Sequence, residues 1–94
     1  MALRFTWDPK KAAANVRLHG VTFPEASTAF GDPLSITVPD PDHSEDEERF
    51  ILTGLSRSQQ LLVVVHVERR GTEIRLISAR RASRPERTAY EEGE

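Results

Sequence analysis

The sequence predicts an α+β domain: an antiparallel sheet of about four to five strands packed on two N-terminal helices, with a short C-terminal helix. Three observations predict it. Helix-start signals come twice in the first third of the chain, at Asp8-Pro9 and at Thr22-Phe23-Pro24-Glu25. β-rich runs then follow one another from Leu34 to Arg80 with turn residues between them, a succession of strands rather than an alternation with helices. The 94 residues suffice for one modest core and leave no room for separate cofactor and substrate domains.

Leu3, Phe5 and Trp7 alternate with Arg4 and Thr6, the pattern of a short half-buried strand. Asp8 is placed to cap a helix that Pro9 opens and Gly20 closes, with His19 near its C-terminus. Thr22 and Glu25 have capping-box spacing and start a second helix through about Phe30, which Gly31-Asp32-Pro33 ends. Leu34, Ile36 and Val38 alternate as a strand, and the acidic, proline-bearing run from Pro39 to Glu48 reads as a loop. Arg49 to Leu55 is a strand, and Leu61 to Glu68 is a central one, apolar on both faces at its start. Arg70-Gly71 turns the chain into a returning strand, Glu73 to Arg80. Ser83 and Glu86 form a second capping box and open a helix through Tyr90.

The net charge of -2 conceals a polarised chain. Six carboxylates fall between Asp40 and Glu48 with no Lys or Arg among them, whereas Arg69 to Arg87 holds seven arginines against Glu73 and Glu86. Sign asymmetry of this kind points to a polyanionic or acidic partner, and arginine suits bidentate phosphate contacts. The absence of cysteine excludes disulfides and thiolate metal sites. No apolar run approaches a membrane span, and the start of the chain lacks a signal-peptide core, so a soluble cytoplasmic protein is expected. Phosphate-loop, nucleophile-elbow and zincin motifs are missing. His43, Asp42 and Glu45 do not have the spacing of a metal loop and lack its mid-loop glycine, so neither a metal nor a cofactor is expected.

A two-residue turn at Arg70-Gly71 would set His66 opposite Arg75, and Glu68 opposite Glu73. The second pairing counts against that register, because like charges repel across a ladder. His66 interrupts an aliphatic strand; it is either a proton-transfer group or a hydrogen-bonded sheet histidine without chemistry. Arg80, Arg84 and Arg87 stand at helical or near-helical spacing and suit a polyanion, or else a solvated surface paired with the acidic loop. Tyr90 could stack a base, or simply pack its ring.

Taken together, the chain resembles the BrnT family of ribonuclease toxins of bacterial type II toxin–antitoxin systems. The residues that carry the resemblance are F-T-W-D-P-K-K-A-A-A-N at 5–15, R-L-H-G-V-T-F at 17–23, E-A at 25–26, F-G-D-P at 30–33, D-H-S-E at 42–45, E-E-R at 47–49, L-L-V-V-V-H at 61–66, R-L-I-S-A-R-R-A at 75–82, E-R at 86–87 and Tyr90. They cover roughly residues 5–90, so the whole of 1–94 reads as one such domain. The resemblance implies a RelE-like fold and RNA cleavage that inhibits translation. It also implies neutralisation by a BrnA-like antitoxin that binds DNA and dimerises, with operator DNA reached only through that antitoxin.

The resemblance and the charge pattern together suggest metal-independent attack of an RNA 2′-OH on the adjacent phosphate. His66 is the candidate for proton transfer, and Glu48 would act as base or orient an arginine. Arg80 would stabilise developing charge, and Arg49, Arg75, Arg81, Arg84 and Tyr90 would hold RNA. The contrasting expectation is a non-catalytic module that binds an acidic protein or nucleic acid through the same arginines.

Overall fold

The computed structural model describes residues 2–42 and 48–93. Strand β1 (Arg4–Thr6) leads into helix α1 (Pro9–His19), where Asp8 caps the first turn by accepting from the Lys10 N–H at 2.8 Å. Gly20 closes α1 in the left-handed region, at φ 69°, and returns its N–H to the Val16 carbonyl. Helix α2 (Phe23–Thr28) runs on into a 3-10 turn at Ala29–Gly31. The remaining elements are β2 (Ile36–Pro39), β3 (Arg49–Leu55), β4 (Leu61–Glu68), β5 (Glu73–Arg81) and helix α3 (Arg84–Glu91). Leu34 lies outside β2; the strand instead reaches Pro39, which an edge position tolerates because a proline there forfeits no ladder bond.

The five strands lie in the order β1-β5-β4-β3-β2. Every pairing is antiparallel except β1 with β5, which is parallel, so the sheet is mixed rather than wholly antiparallel. Only Glu73–Arg75 of β5 has a strand partner on that side. Farther along, the buried Asn15 of α1 takes over. Its amide accepts from the Ala79 N–H at 3.0 Å and donates to the Ala79 carbonyl at 2.8 Å, so one side chain stands in for a missing strand. A second bond from the same amide nitrogen, to the Val21 carbonyl at 2.9 Å, ties the α1–α2 connection to this point.

Helices α1 and α2 cover one face of the sheet. The core there is Val21, Phe23 and Ala26 from the helical layer against Leu62, Val64, Ile74, Leu76 and Ala79, with Phe5, Trp7, Ala12 and Phe30 packed around it. Gly54 of β3 is needed for this closeness, since a β-carbon on it would sit 2.8 Å from the Ala29 carbonyl oxygen. The capping box expected at Thr22 is half realised. Thr22 accepts from the Glu25 N–H, but the Glu25 carboxylate turns away to accept from the Ser56 and Ser58 hydroxyls, stapling the β3–β4 turn to α2.

The hairpin register differs from the one expected. Arg69 N–H donates to the Glu73 carbonyl, so three residues, Arg70 to Thr72, close the turn, with Gly71 at φ 69°. Glu68 then faces Ile74 and His66 faces Leu76, not Arg75. The shift removes the Glu68–Glu73 opposition and frees Glu73 to pair with Arg4 at 3.1 Å. Between Val65 and His66 the register slips again: His66 pairs with Leu76 but Val65 with Ser78, leaving Ile77 as a bulge.

Candidate functional site

Residues directly opposite in a ladder share a face, and the observed register sorts the arginines accordingly. Arg49 faces Val67, Val67 faces Arg75, and Arg75 faces Thr6. This row crosses four strands on the face away from α1 and α2, and it sets Arg49 and Arg75 on either side of a buried valine. One step toward the hairpin, Arg69, Glu73 and Arg4 form a second row. Glu73 holds that row in place, since Thr6 Oγ1 donates to its carboxylate at 3.2 Å and Arg4 pairs with it. The Arg75 side chain has no hydrogen bond or ion pair among the described residues.

Arg80 lies on the same face at the other end of β5, opposite Val63, which in turn faces Thr53. The helical spacing expected for Arg80 and Arg84 is not realised, because Arg80 is in β5 and Arg84 is the first residue of α3. What Arg80 meets is Glu86, by two parallel bonds of 2.8 Å. Glu86 is also the reciprocal partner of Ser83 in a complete capping box. The Arg80 guanidinium, helped by Ser83, holds the Glu86 carboxyl down at about 2, and Glu86 in turn raises Arg80. Arg81 pairs with Leu62, so alternation turns it toward the helix side of the sheet; it and Arg84 are exposed. The proposed set Arg49, Arg75, Arg80, Arg81 and Arg84 therefore divides, with Arg49, Arg75 and Arg80 on one face and Arg81 on the other.

His66 is placed elsewhere. It shares the helix-side face with Leu76 and Phe50 and is 0% exposed. The Phe30 ring meets it edge-on at 4.8 Å and the Phe50 ring lies stacked at 6.0 Å. Its Nε2 is 3.1 Å from the carboxylate of Glu68, a side chain 45% exposed at the end of β4. The juxtaposition of His66 with Arg75 is thus corrected: the three-residue turn moved the register by one, and in a structure of period two a single step changes the face. Glu48 is exposed immediately before Arg49, at the mouth of the acidic loop, and the Asp40 N–H donates to the Arg49 carbonyl at 2.8 Å across that mouth.

Tyr90 is half-buried and uses its hydroxyl to donate to Asp32 at 2.5 Å. The same carboxylate accepts from the Leu34 and Leu55 N–H groups. Burial opposes its ionisation, but these bonds prevail and lower it, while the bond to Asp32 pushes Tyr90 up to about 12. Tyr90 lines a cleft with Ile36, Val38, Ile51 and Thr53, so its ring packs α3 onto β2 and β3. Among the described residues no three His, Asp or Glu side chains converge as metal ligands; His43 and Glu45 lie outside the described residues. No helix is long and apolar enough to cross a membrane among the described residues.

Sequence reading missed Glu86 as the partner of Arg80, and Glu73 as the organiser of the second row. The S-R-P-E box revealed Glu86 as a cap, but nothing local revealed its second ligand.

A family model for the ribonuclease toxin, BrnT, of type II toxin–antitoxin systems matches residues 7–86. Among solved structures the fold is similar to the crystal structure of the Brucella abortus ribonuclease toxin BrnT. The TM-score is 0.69 at 19% identity, covering 88% of this chain and 100% of that one, a likeness of fold. No curated protein matches the chain.

Proposed function

Since the chain belongs to the BrnT family of type II ribonuclease toxins, we propose that it is a metal-independent endoribonuclease that takes RNA on the sheet face away from α1 and α2. The observation that carries this reading is the row Arg49–Val67–Arg75 with Arg80 farther along the same face. Guanidinium groups gathered on one face of a sheet neutralise phosphates and favour the extra negative charge of a pentacoordinate phosphorane. They supply the charge that a metal ion would otherwise provide.

In this reading the RNA 2′-OH attacks the adjacent phosphorus, the bond to the 5′-oxygen of the next nucleotide breaks, and a 2′,3′-cyclic phosphate remains. Glu48, exposed beside Arg49, takes the 2′-OH proton, and the departing 5′-oxygen takes a proton from water to leave as a 5′-OH. His66 and Glu68, bonded to each other, both lie on the helix side of the sheet, away from this face; His66 serves packing and the orientation of Glu68 rather than contact with RNA. The partner is a BrnA-like antitoxin, a DNA-binding dimer that covers the toxin in the cytoplasm and carries the complex to operator DNA. Release of the toxin inhibits translation.

The test is cleavage of a labelled RNA by purified protein in EDTA. Arg75→Ala and Glu48→Gln should each lower cleavage on the order of a hundredfold, with melting temperature unchanged. RNA left intact at high protein concentration, or cleavage that EDTA abolishes and magnesium restores, would overturn the reading. If the intact RNA is nevertheless bound, and Arg75→Ala weakens that binding, the chain is a binding module. Growth arrest on induction, rescued by the neighbouring gene, tests the antitoxin.

A further inference from the structure

Arg80 has five N–H donors in a planar fork. Two of them, one on Nη1 and one on Nη2, go to Glu86 at 2.8 Å each, and Nη1 also reaches the Arg81 carbonyl at 3.3 Å. The occupied donors form the end and one flank of the guanidinium. The other flank, Nε–H with the second Nη2–H, has no partner among the described residues, and the side chain is 44% exposed. That flank is a second bidentate fork, matched to two oxygens of a phosphate.

Glu86 can hold the guanidinium this way because it is itself fixed. Its carboxylate accepts from the Ser83 N–H at 2.8 Å in the cap of α3, and Pro85 stiffens the same turn. The strand fixes one end of Arg80 and the helix cap fixes the other. We propose that Glu86 is a positioning residue for RNA cleavage. It turns the free flank of Arg80 toward a substrate phosphate, so that Arg80 binds bidentately without first losing its rotamer freedom. This inference rests on the assignment of Arg80 to the RNA face.

Two opposed expectations make it testable. Glu86→Gln removes a negative charge beside the RNA, so if Glu86 only repelled RNA, affinity would rise. If Glu86 orients Arg80, affinity falls. The measurement is KM and kcat on a single-stranded oligoribonucleotide, with binding read separately on its 2′-deoxy analogue, which cannot be cleaved. Glu86→Gln should raise KM and weaken binding about tenfold, the loss expected when one charge-assisted bidentate pair is no longer pre-aligned. Arg80→Ala should do at least as much, and Arg80→Lys should fail to restore it.

Ser83→Ala is the control for a merely structural role. It breaks the same cap and lowers the melting temperature, but should leave KM within about twofold because the Arg80–Glu86 pair survives. The inference is overturned if Glu86→Gln leaves binding unchanged or tightens it, or if KM follows melting temperature through both Glu86→Gln and Ser83→Ala. An oligonucleotide that wild type neither binds nor cleaves overturns the RNA reading itself. Wild-type binding that Arg80→Ala weakens and Glu86→Gln does not overturns the positioning role alone.

Discussion

Asn15 shows how much one buried side chain can hold. Its amide makes three bonds, to both backbone groups of Ala79 and to the Val21 carbonyl, in a site with almost no exposure. Asn15→Ala orphans those backbone groups and should cost about 3 kcal/mol in denaturant unfolding. Asn15→Asp should be no better, because a carboxylate has nothing to donate to two carbonyls. A loss under about 1 kcal/mol would mean that water replaces the amide. Nothing in K-A-A-A-N-V distinguished this asparagine from a solvated helix position, since its partners lie far away in sequence. His66 carries the same lesson. It interrupts an aliphatic strand, but its cross-strand neighbour depends on a turn residue count that Arg70-Gly71 leaves open.

At the scale of elements, α3 is pinned at both ends, by Arg80–Glu86 at its start and by Tyr90–Asp32 near its close. Both latches titrate, in opposite directions. Glu86 is lowered to about 2 from 4.5 by Arg80, so its contribution is complete above pH 4.5 and is lost as pH falls toward 2. Tyr90 is raised to about 12 from 10.0 by Asp32, so its contribution is complete below pH 10 and is lost as pH rises toward 12. The protection of α3 amides, taken relative to the intrinsic exchange rate at each pH, should therefore fall at both limits. Tyr90→Phe should remove the alkaline limb, and Glu86→Gln should flatten the acid one. A wild-type protection factor in α3 that stays constant with pH, matching both variants, would disprove the latches. The helix itself was legible, since its capping box and proline are local signals. Its docking was not, because Asp32 and Tyr90 are far apart in the chain. The close approach of the 3-10 turn to β3 also belongs to this scale. Gly54→Ala should destabilise by roughly 1–3 kcal/mol, since the Ala29 carbonyl cannot move without moving the turn; a melting temperature equal to wild type would contradict it.

For the whole molecule, charge placement matters more than charge total. A net -2 predicts weak nucleic-acid binding, yet the register gathers Arg49, Arg75 and Arg80 on one face. If that face holds RNA, affinity should fall with rising salt. Arg75→Ala should then reduce the slope of log K against log salt by about 0.7 for each phosphate it leaves unneutralised. Lys10→Ala, on the exposed side of α1, should leave the slope unchanged. Equal effects of the two substitutions would mean diffuse attraction rather than a face.

The sequence by itself determined the α+β class, the order of the elements and most of their ends, because alternation, caps and prolines act within a few residues. Tertiary structure alone decided the parallel docking of β1, the three-residue turn and the bulge at Ile77, and with them which side chains share a face. Those choices follow from relief of the Glu68–Glu73 opposition and from burial of Leu62, Val64 and Leu76 against α2. The burial depends on contacts between residues distant in the chain, while the charge opposition, local to the hairpin, counts against one register without choosing another; in a sheet of period two each single-residue step exchanges one face for the other.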